Sequence, residues 1–280
     1  MRKSILFLAL GLLTTIGSVN AAKEVYTVFK DGTLTYYYDD LKDTRIGTKE
    51  VYDPEAERFE YYYEDVITAV IDASMLEARL ESMENLFYGL GARALKNLTS
   101  IVGMENLYTA SVTNMTNMFA WCSSLTSIDL HAFNTSKVTD MTSMFRGCSA
   151  LKGIDVNSFD MSKVVDASTM FDYCKSLTTI YCYNDWSKFT SIEWSNSMFR
   201  DCEKLVGGKG TVYNEEHTNI NYAHPDGGTG KEGYFTMGEI PTSVNQLSND
   251  QVSNGKFIRN GQLFIQRGEE VFSATGVRVK

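Results

Sequence analysis

Five cysteines and three histidines are the residues of this 280-residue chain best suited to chemistry, so their spacing is read first. Cys122, Cys148, Cys174 and Cys202 recur at steps of 26, 26 and 28 residues. A zinc site needs converging thiolates or imidazoles, usually with two ligands only a few residues apart, and a row at this interval does not converge. Free thiols buried as small apolar groups, disulfides between neighbouring copies, and a metal are the three readings, and the spacing favours the first. Cys182 falls at the inward position held by Leu130 and Val156 in the preceding copies, which marks it as core. His131, His217 and His224 are too scattered for a catalytic arrangement. "HTNINYAHPDG" brings His217, His224 and Asp226 close in sequence, which opens a metal reading beside that of a polar loop. "PDGGTGKEG" imitates a phosphate loop but has Glu232 where Ser or Thr should ligate magnesium, and it lacks the first glycine. There is no GxSxG, and no Cys–His pair stands outside the repeated segment. These residues assign no catalytic site, no metal site and no cofactor, and the expectation is a protein that is not an enzyme.

The cysteines belong to a larger pattern that must position them. "NMTNMFAWCSSLTSIDL" (114–130) returns as "DMTSMFRGCSALKGIDV" (140–156) and again as "DASTMFDYCKSLTTIYC" (166–182), giving MxxMFxxCxxLxxI. The columns are Met118, Met144, Met170 and Met198; Phe119, Phe145, Phe171 and Phe199; Leu125, Leu151, Leu177 and Leu205; Ile101, Ile128, Ile154 and Ile180. Apolar positions fixed at a period of 20 to 30 residues mark a stacked repeat, in which one copy cannot bury its own face. "LTSIDL" sends Leu125, Ile128 and Leu130 inward and Ser127, Asp129 and His131 outward on a short strand. Asn114, Asp140 and Asp166 stand where helix N-caps would, predicting one or two helical turns after each. The expected fold class is therefore α/β: a solenoid with short parallel strands and short helices, which the resemblance given below makes leucine-rich-repeat-like.

Four segments follow. Residues 1–21 combine Arg2 and Lys3, an apolar run from Ile5 to Ile16 and a terminal "SVNA", the layout of a signal peptide cleaved near Ala21 or Ala22. No later stretch reaches the ~18 apolar residues of a membrane helix, so no membrane insertion is expected after cleavage. Residues 22–81 form a Tyr-rich β cap, with "VYTVF", an Asp31–Gly32 turn and "TLTYYY". In it Tyr36 to Tyr38 and Tyr61 to Tyr63 alternate across strands, Ile67 and Val70 offer a first rung, and "ASMLEARLESMENLF" reads as a helix. Residues 82–237 hold the repeats and a polar terminator loop. Residues 238–280 contain a linker around Pro241 and a small three-stranded meander with turns at Asn260–Gly261 and Arg267–Gly268. The net charge of −9, or −11 without Arg2 and Lys3, repels phosphate backbones and argues against nucleic acid as a partner.

Binding would live on the outward positions Ser127, Asp129, His131, Asp155, Asn157, Tyr181 and Tyr183. Asp129 and Asp155 fall on adjacent rungs, where like charges are unfavourable unless solvated or paired. That face either awaits a cationic group on a partner or carries two hydrated carboxylates. The repeat, with "FNTSKVTDMTSMF" between copies, resembles the BspA-like leucine-rich-repeat surface proteins of bacteria over roughly 25–237. The resemblance implies an extracellular α/β solenoid, adhesion to host matrix proteins or other cells, and no catalytic residues. "GQLFIQRGEEVFSATGVRVK" resembles, more weakly, the C-terminal sorting segments of type IX secretion, beside the plainer reading of a terminal β-hairpin. The expectation is a secreted or cell-surface protein that binds an extracellular protein or glycan. A self-associating structural protein and a glycan-binding accessory protein are the other classes.

Overall fold

The computed structural model describes residues 22–51, 64–89 and 95–240, and the backbone of four strands between 255 and 279. The expected signal peptide, Tyr61 to Tyr63, Pro241, Asn260, Gly261 and Gly268 lie outside the described residues. The chain forms two units, Met1–Gly238 and Glu239–Lys280.

The α/β class is overturned. Among the described residues there is no α-helix, and the longest helical piece is the five-residue 3-10 turn Ala73–Glu77. The first unit is built from strands and turns. Its N-terminal hairpin pairs β1 (Glu24–Lys30) with β2 (Thr33–Asp39), closing at Lys30↔Thr33. Asp31 (φ 49°) and Gly32 (φ 76°) are both left-handed, as a two-residue turn that matches strand twist requires. β1 also pairs with β3 (Thr48–Val51), while β2 pairs in parallel with β4 (Thr68–Ile71) and β4 with β5 (Ser100–Val102). Ala69 and Ile71 are the buried side chains of β4, and Ile67 is 48% exposed. The first rung is thus set by strand alternation from Ala69 and Ile71, not by the expected Ile67 and Val70.

The repeats stack in register. Ser82, Asn114, Asp140, Asp166 and Trp194 form successive parallel bridges, defining five tiers separated by 32, 26, 26 and 28 residues. From each of the first four of these residues on, every second N–H points to the next tier. Met115, Asn117, Phe119 and Trp121 donate to the carbonyls of Asp140, Thr142, Met144 and Arg146 at 2.9, 2.9, 2.9 and 2.6 Å. A helix would spend those N–H groups on carbonyls four residues back, so the two arrangements exclude each other. Instead Met118 N–H returns to Met115 O and Cys122 N–H to Phe119 O, both at 3.2 Å, with Asn117 (φ 55°) and Trp121 (φ 64°) left-handed. These are two consecutive turns of type II form. The expected caps do accept hydrogen bonds: Asn114, Asp140 and Asp166 each take one from the N–H two residues on, at 2.8 Å. They cap turns rather than helices. The helix expected over "ASMLEARLESMENLF" fails for the same reason, because Met83 and Phe87 donate to Asn114 and Met118.

The apolar columns form one core. Phe87, Phe119, Phe145, Phe171 and Phe199 are fully buried and stack at centroid distances of 5.2, 5.5, 5.5 and 5.8 Å. Each ring contributes about 1.5–3 kcal/mol of burial, which a lone copy forgoes. β6 (Gly153–Asp155), β7 (Thr179–Tyr181) and β8 (Phe235–Thr236) make a parallel three-stranded sheet. "LTSIDL" buries Leu125, Ile128 and Leu130 and exposes Ser127, Asp129 and His131, but no strand forms there. The second unit is an antiparallel sheet in the order β12-β11-β10-β9, of β9 (Gly255–Arg259), β10 (Gln262–Arg267), β11 (Glu270–Ser273) and β12 (Arg278–Val279). It has four strands where three were expected.

Candidate functional site

The seven outward residues divide into two groups. Ser127, Asp129 and His131 are exposed on the strandless coil; Asp129 Oδ1 accepts the His131 N–H at 3.1 Å and lies 2.5 Å from its Nδ1. Asp155 sits opposite Tyr181 across β6 and β7, and its carboxylate accepts the Asn157 N–H at 2.9 Å. Each aspartate is therefore engaged by its own loop, and Asp155 has a tyrosine rather than an aspartate as its strand neighbour. Asn157 is a structural tie: its Nδ2 donates to Gly238 O and its Oδ1 accepts the Tyr183 N–H, both at 2.8 Å. Tyr181 is half-buried, and Tyr183 is 57% exposed.

The tiers bring together a second group, one that the sequence reading missed. The two residues that follow each Phe of the column form ladders down one edge of the stack. The left-handed position runs Trp121, Gly147, Tyr173 and Asp201. A side chain on Gly147 (φ 72°) would place its Cβ 2.3 Å from the Trp121 ring; only glycine leaves room for that indole to lie across its tier. Trp121 and Tyr173 therefore meet over Gly147, centroids 6.0 Å apart and planes tilted by 35°. Arg146 and Arg200 place their guanidinium carbons 5.5 Å from the Trp121 ring and 5.4 Å from the Tyr173 ring, and Lys175 Nζ lies 5.7 Å from the latter. Such cation–ring contacts are worth about 0.5–1 kcal/mol at partly exposed positions.

The position before it alternates in sign, as Arg146, Asp172 and Arg200. Asp172 has no exposed side-chain surface. It accepts from Arg200 Nε at 2.9 Å and Nη2 at 2.7 Å. Arg146 Nε lies 3.1 Å from its Oδ2, as an ion pair without hydrogen-bond alignment. A buried carboxylate is stable only when paired in this way. Asp172 in turn raises the Arg200 pKa through its hydrogen bond. Two guanidinium groups about one carboxylate leave an excess positive charge at an aromatic rim on an otherwise acidic chain. The signal in the sequence was the alternation of sign and of bulk down two aligned columns.

The thiols offer no nucleophile. All five cysteines are buried and unpaired. Four donate to a phenylalanine carbonyl of the preceding tier: Cys122 to Phe87 at 2.8 Å, Cys148 to Phe119 and Cys174 to Phe145 at 3.1 Å, and Cys202 to Phe171 at 3.0 Å. Burial pushes the Cys148 and Cys182 thiols up to about 12, where a thiolate is not available at neutral pH. His217, His224 and Asp226 do not converge: His217 stacks on Tyr222 at 4.1 Å, His224 Nδ1 lies 3.0 Å from Pro225 O, and Asp226 is taken up by backbone donors. Among the described residues no three His, Cys, Asp or Glu side chains form a metal-binding group, and no helix is long and apolar enough to cross a membrane.

No curated protein and no solved structure matches the chain. Residues 81–209, the stretch that contains all four tier bridges, are similar to a family described as "Mycoplasma protein of unknown function, DUF285".

Proposed function

We propose that this chain is an exported, non-enzymatic binding protein that holds an extracellular protein partner at the Trp121–Tyr173 edge. The observation that carries this reading is the cluster itself. Trp, Tyr and Arg are the side chains that dominate protein–protein hot spots, and here Trp121, Tyr173, Arg146 and Arg200 come to one edge from four successive tiers. Their geometry is fixed in advance by Gly147 and Asp172, which lowers the ordering cost of association. The resemblance to BspA-like surface proteins and the layout of residues 1–21 support export and a role in adhesion to matrix proteins or other cells.

The test is a binding panel of extracellular matrix proteins, glycans and the protein itself, run on the chain without residues 1–21. At least one matrix protein is expected to bind, and the Trp121→Ala/Tyr173→Ala double variant to weaken it by at least about tenfold. Binding to self alone, or a matrix interaction that the double variant leaves unchanged, overturns the proposal.

A further inference from the structure

Beyond the last position of that ladder, Asp201, the loops that close the stack line an open cleft of about 580 Å³, with Lys209, Tyr213, Asn214, His217, Thr229 and Glu232 among its walls. Its size falls in the ~300–1,000 Å³ range of small-molecule sites. Its walls are built rather than loose. Asp226, buried beneath, accepts from Lys209 N–H at 2.8 Å, Thr211 N–H at 3.0 Å, Thr211 Oγ1 at 2.8 Å and Gly228 N–H at 2.8 Å, and so joins the two loops. The His217 ring is stacked on Tyr222 with a 12° interplanar angle, and the Tyr213 hydroxyl accepts the Asp201 N–H at 3.1 Å.

The lining excludes several ligand classes. Successive glycine N–H groups can cradle an anion, but here Gly228 donates to Asp226 and Gly230 to Glu232 Oε1 at 2.8 Å. A phosphate would meet two carboxylates in place of free donors. Val212, 67% exposed, is the one aliphatic side chain larger than threonine in the lining, too little for a lipid or an apolar ring system. What stays open is a set of mixed donors and acceptors. Glu232 Oε1 accepts the Gly230 N–H and Asn214 Oδ1 accepts the Glu216 N–H at 2.9 Å, which leaves the Lys209 ammonium, the second Glu232 oxygen, the Asn214 Nδ2 and the Thr229 hydroxyl along the cleft. A sugar hydroxyl is donor and acceptor at once, so vicinal hydroxyls match such a set, and the rings of Tyr213 and His217 add surface for C–H faces.

We propose that this cleft is a binding site for a neutral saccharide, independent of the Trp121–Tyr173 edge. The experiment titrates the full chain calorimetrically with soluble neutral oligosaccharides of glucose, mannose, galactose and N-acetylglucosamine, with inorganic phosphate and a primary amine as competitors. One sugar class is expected to bind. Glu232→Gln, isosteric and exposed, should weaken it by at least about tenfold, His217→Ala should weaken it as well, and the Trp121→Ala/Tyr173→Ala variant should leave it unchanged. A glycoprotein bearing the same sugar should be captured before, and released after, enzymatic removal of its glycans. The site is disproved if no sugar binds at millimolar concentration, if Glu232→Gln and His217→Ala both bind as the unaltered chain does, if phosphate or the amine displaces the sugar, or if capture survives deglycosylation.

Discussion

Asp226 shows what one carboxylate does in this fold. Burial by itself would raise its pKa, yet N–H donation from Thr211 and Gly228, the Thr211 hydroxyl and the Lys209 N–H overcome that and hold it at about 2. The folded value lies below the unfolded value of about 3.9. The stabilisation is therefore complete above pH ~4 and is lost as the pH falls through ~2. A displacement of this size corresponds to about 2 kcal/mol. Asp226→Asn should destabilise the 209–211 and 228–231 loops at pH 7 by about that amount and flatten the acid limb of the stability curve. Urea unfolding from pH 7 to pH 2, with amide exchange at Thr211 and Gly228, measures both effects; curves of equal pH dependence for the two proteins would refute it. The sequence placed Asp226 beside two histidines, in a segment read as a polar loop with a metal as the alternative. It could not show that the loop folds back to put backbone donors 15 and 17 residues away on that carboxylate.

At the scale of the turn pair, Gly147 holds two tiers at their spacing. Alanine there must adopt φ 72°, at about 1–2 kcal/mol, and its Cβ must displace the Trp121 ring from 2.3 Å, adding overpacking of similar size. Gly147→Ala should thus cost about 2–4 kcal/mol in the natural background but only about 1–2 kcal/mol in a Trp121→Ala background, a coupling that a double-mutant cycle resolves. Equal costs in both backgrounds would show that the indole does not cross that glycine. This element also marks where the sequence stops being legible. The Met, Phe, Cys and Leu columns were visible because burial depends on period alone, and every one of them is core. The helices were misread because an Asn or Asp cap looks the same before a helix and before a turn. The left-handed positions gave no uniform warning, since Trp121 and Tyr173 occupy them as readily as Gly147 does. The Trp121–Tyr173 edge depends on those positions and went unread with them.

At the scale of the first unit, the phenylalanine column is closed by tyrosines at both ends. Tyr36 meets Phe87 edge-on at 5.3 Å and Tyr234 meets Phe199 at 5.2 Å. The hydroxyl of Tyr36 donates to Leu86 O at 2.7 Å, and that of Tyr234 accepts the Asn214 N–H at 3.0 Å. An aromatic with a polar tip ends a dry column without stranding a polar atom, so at these two positions the tyrosines serve packing rather than contact with a partner. Between them each tier touches chiefly its neighbours, and stability should behave as a sum over interfaces. Removing one full period, residues 140–165, brings Asn114 against Asp166 and Phe119 against Phe171 with every column intact. That variant should still unfold cooperatively, at a lower urea midpoint and with an m-value reduced in step with the surface lost. Removing only residues 140–152 shortens the chain less, but it deletes Leu151, faces the Phe column with loop residues and puts Ile154 out of register. It should not fold cooperatively. If the half-period deletion melts as sharply as the full-period one, register between tiers is not what holds this molecule together.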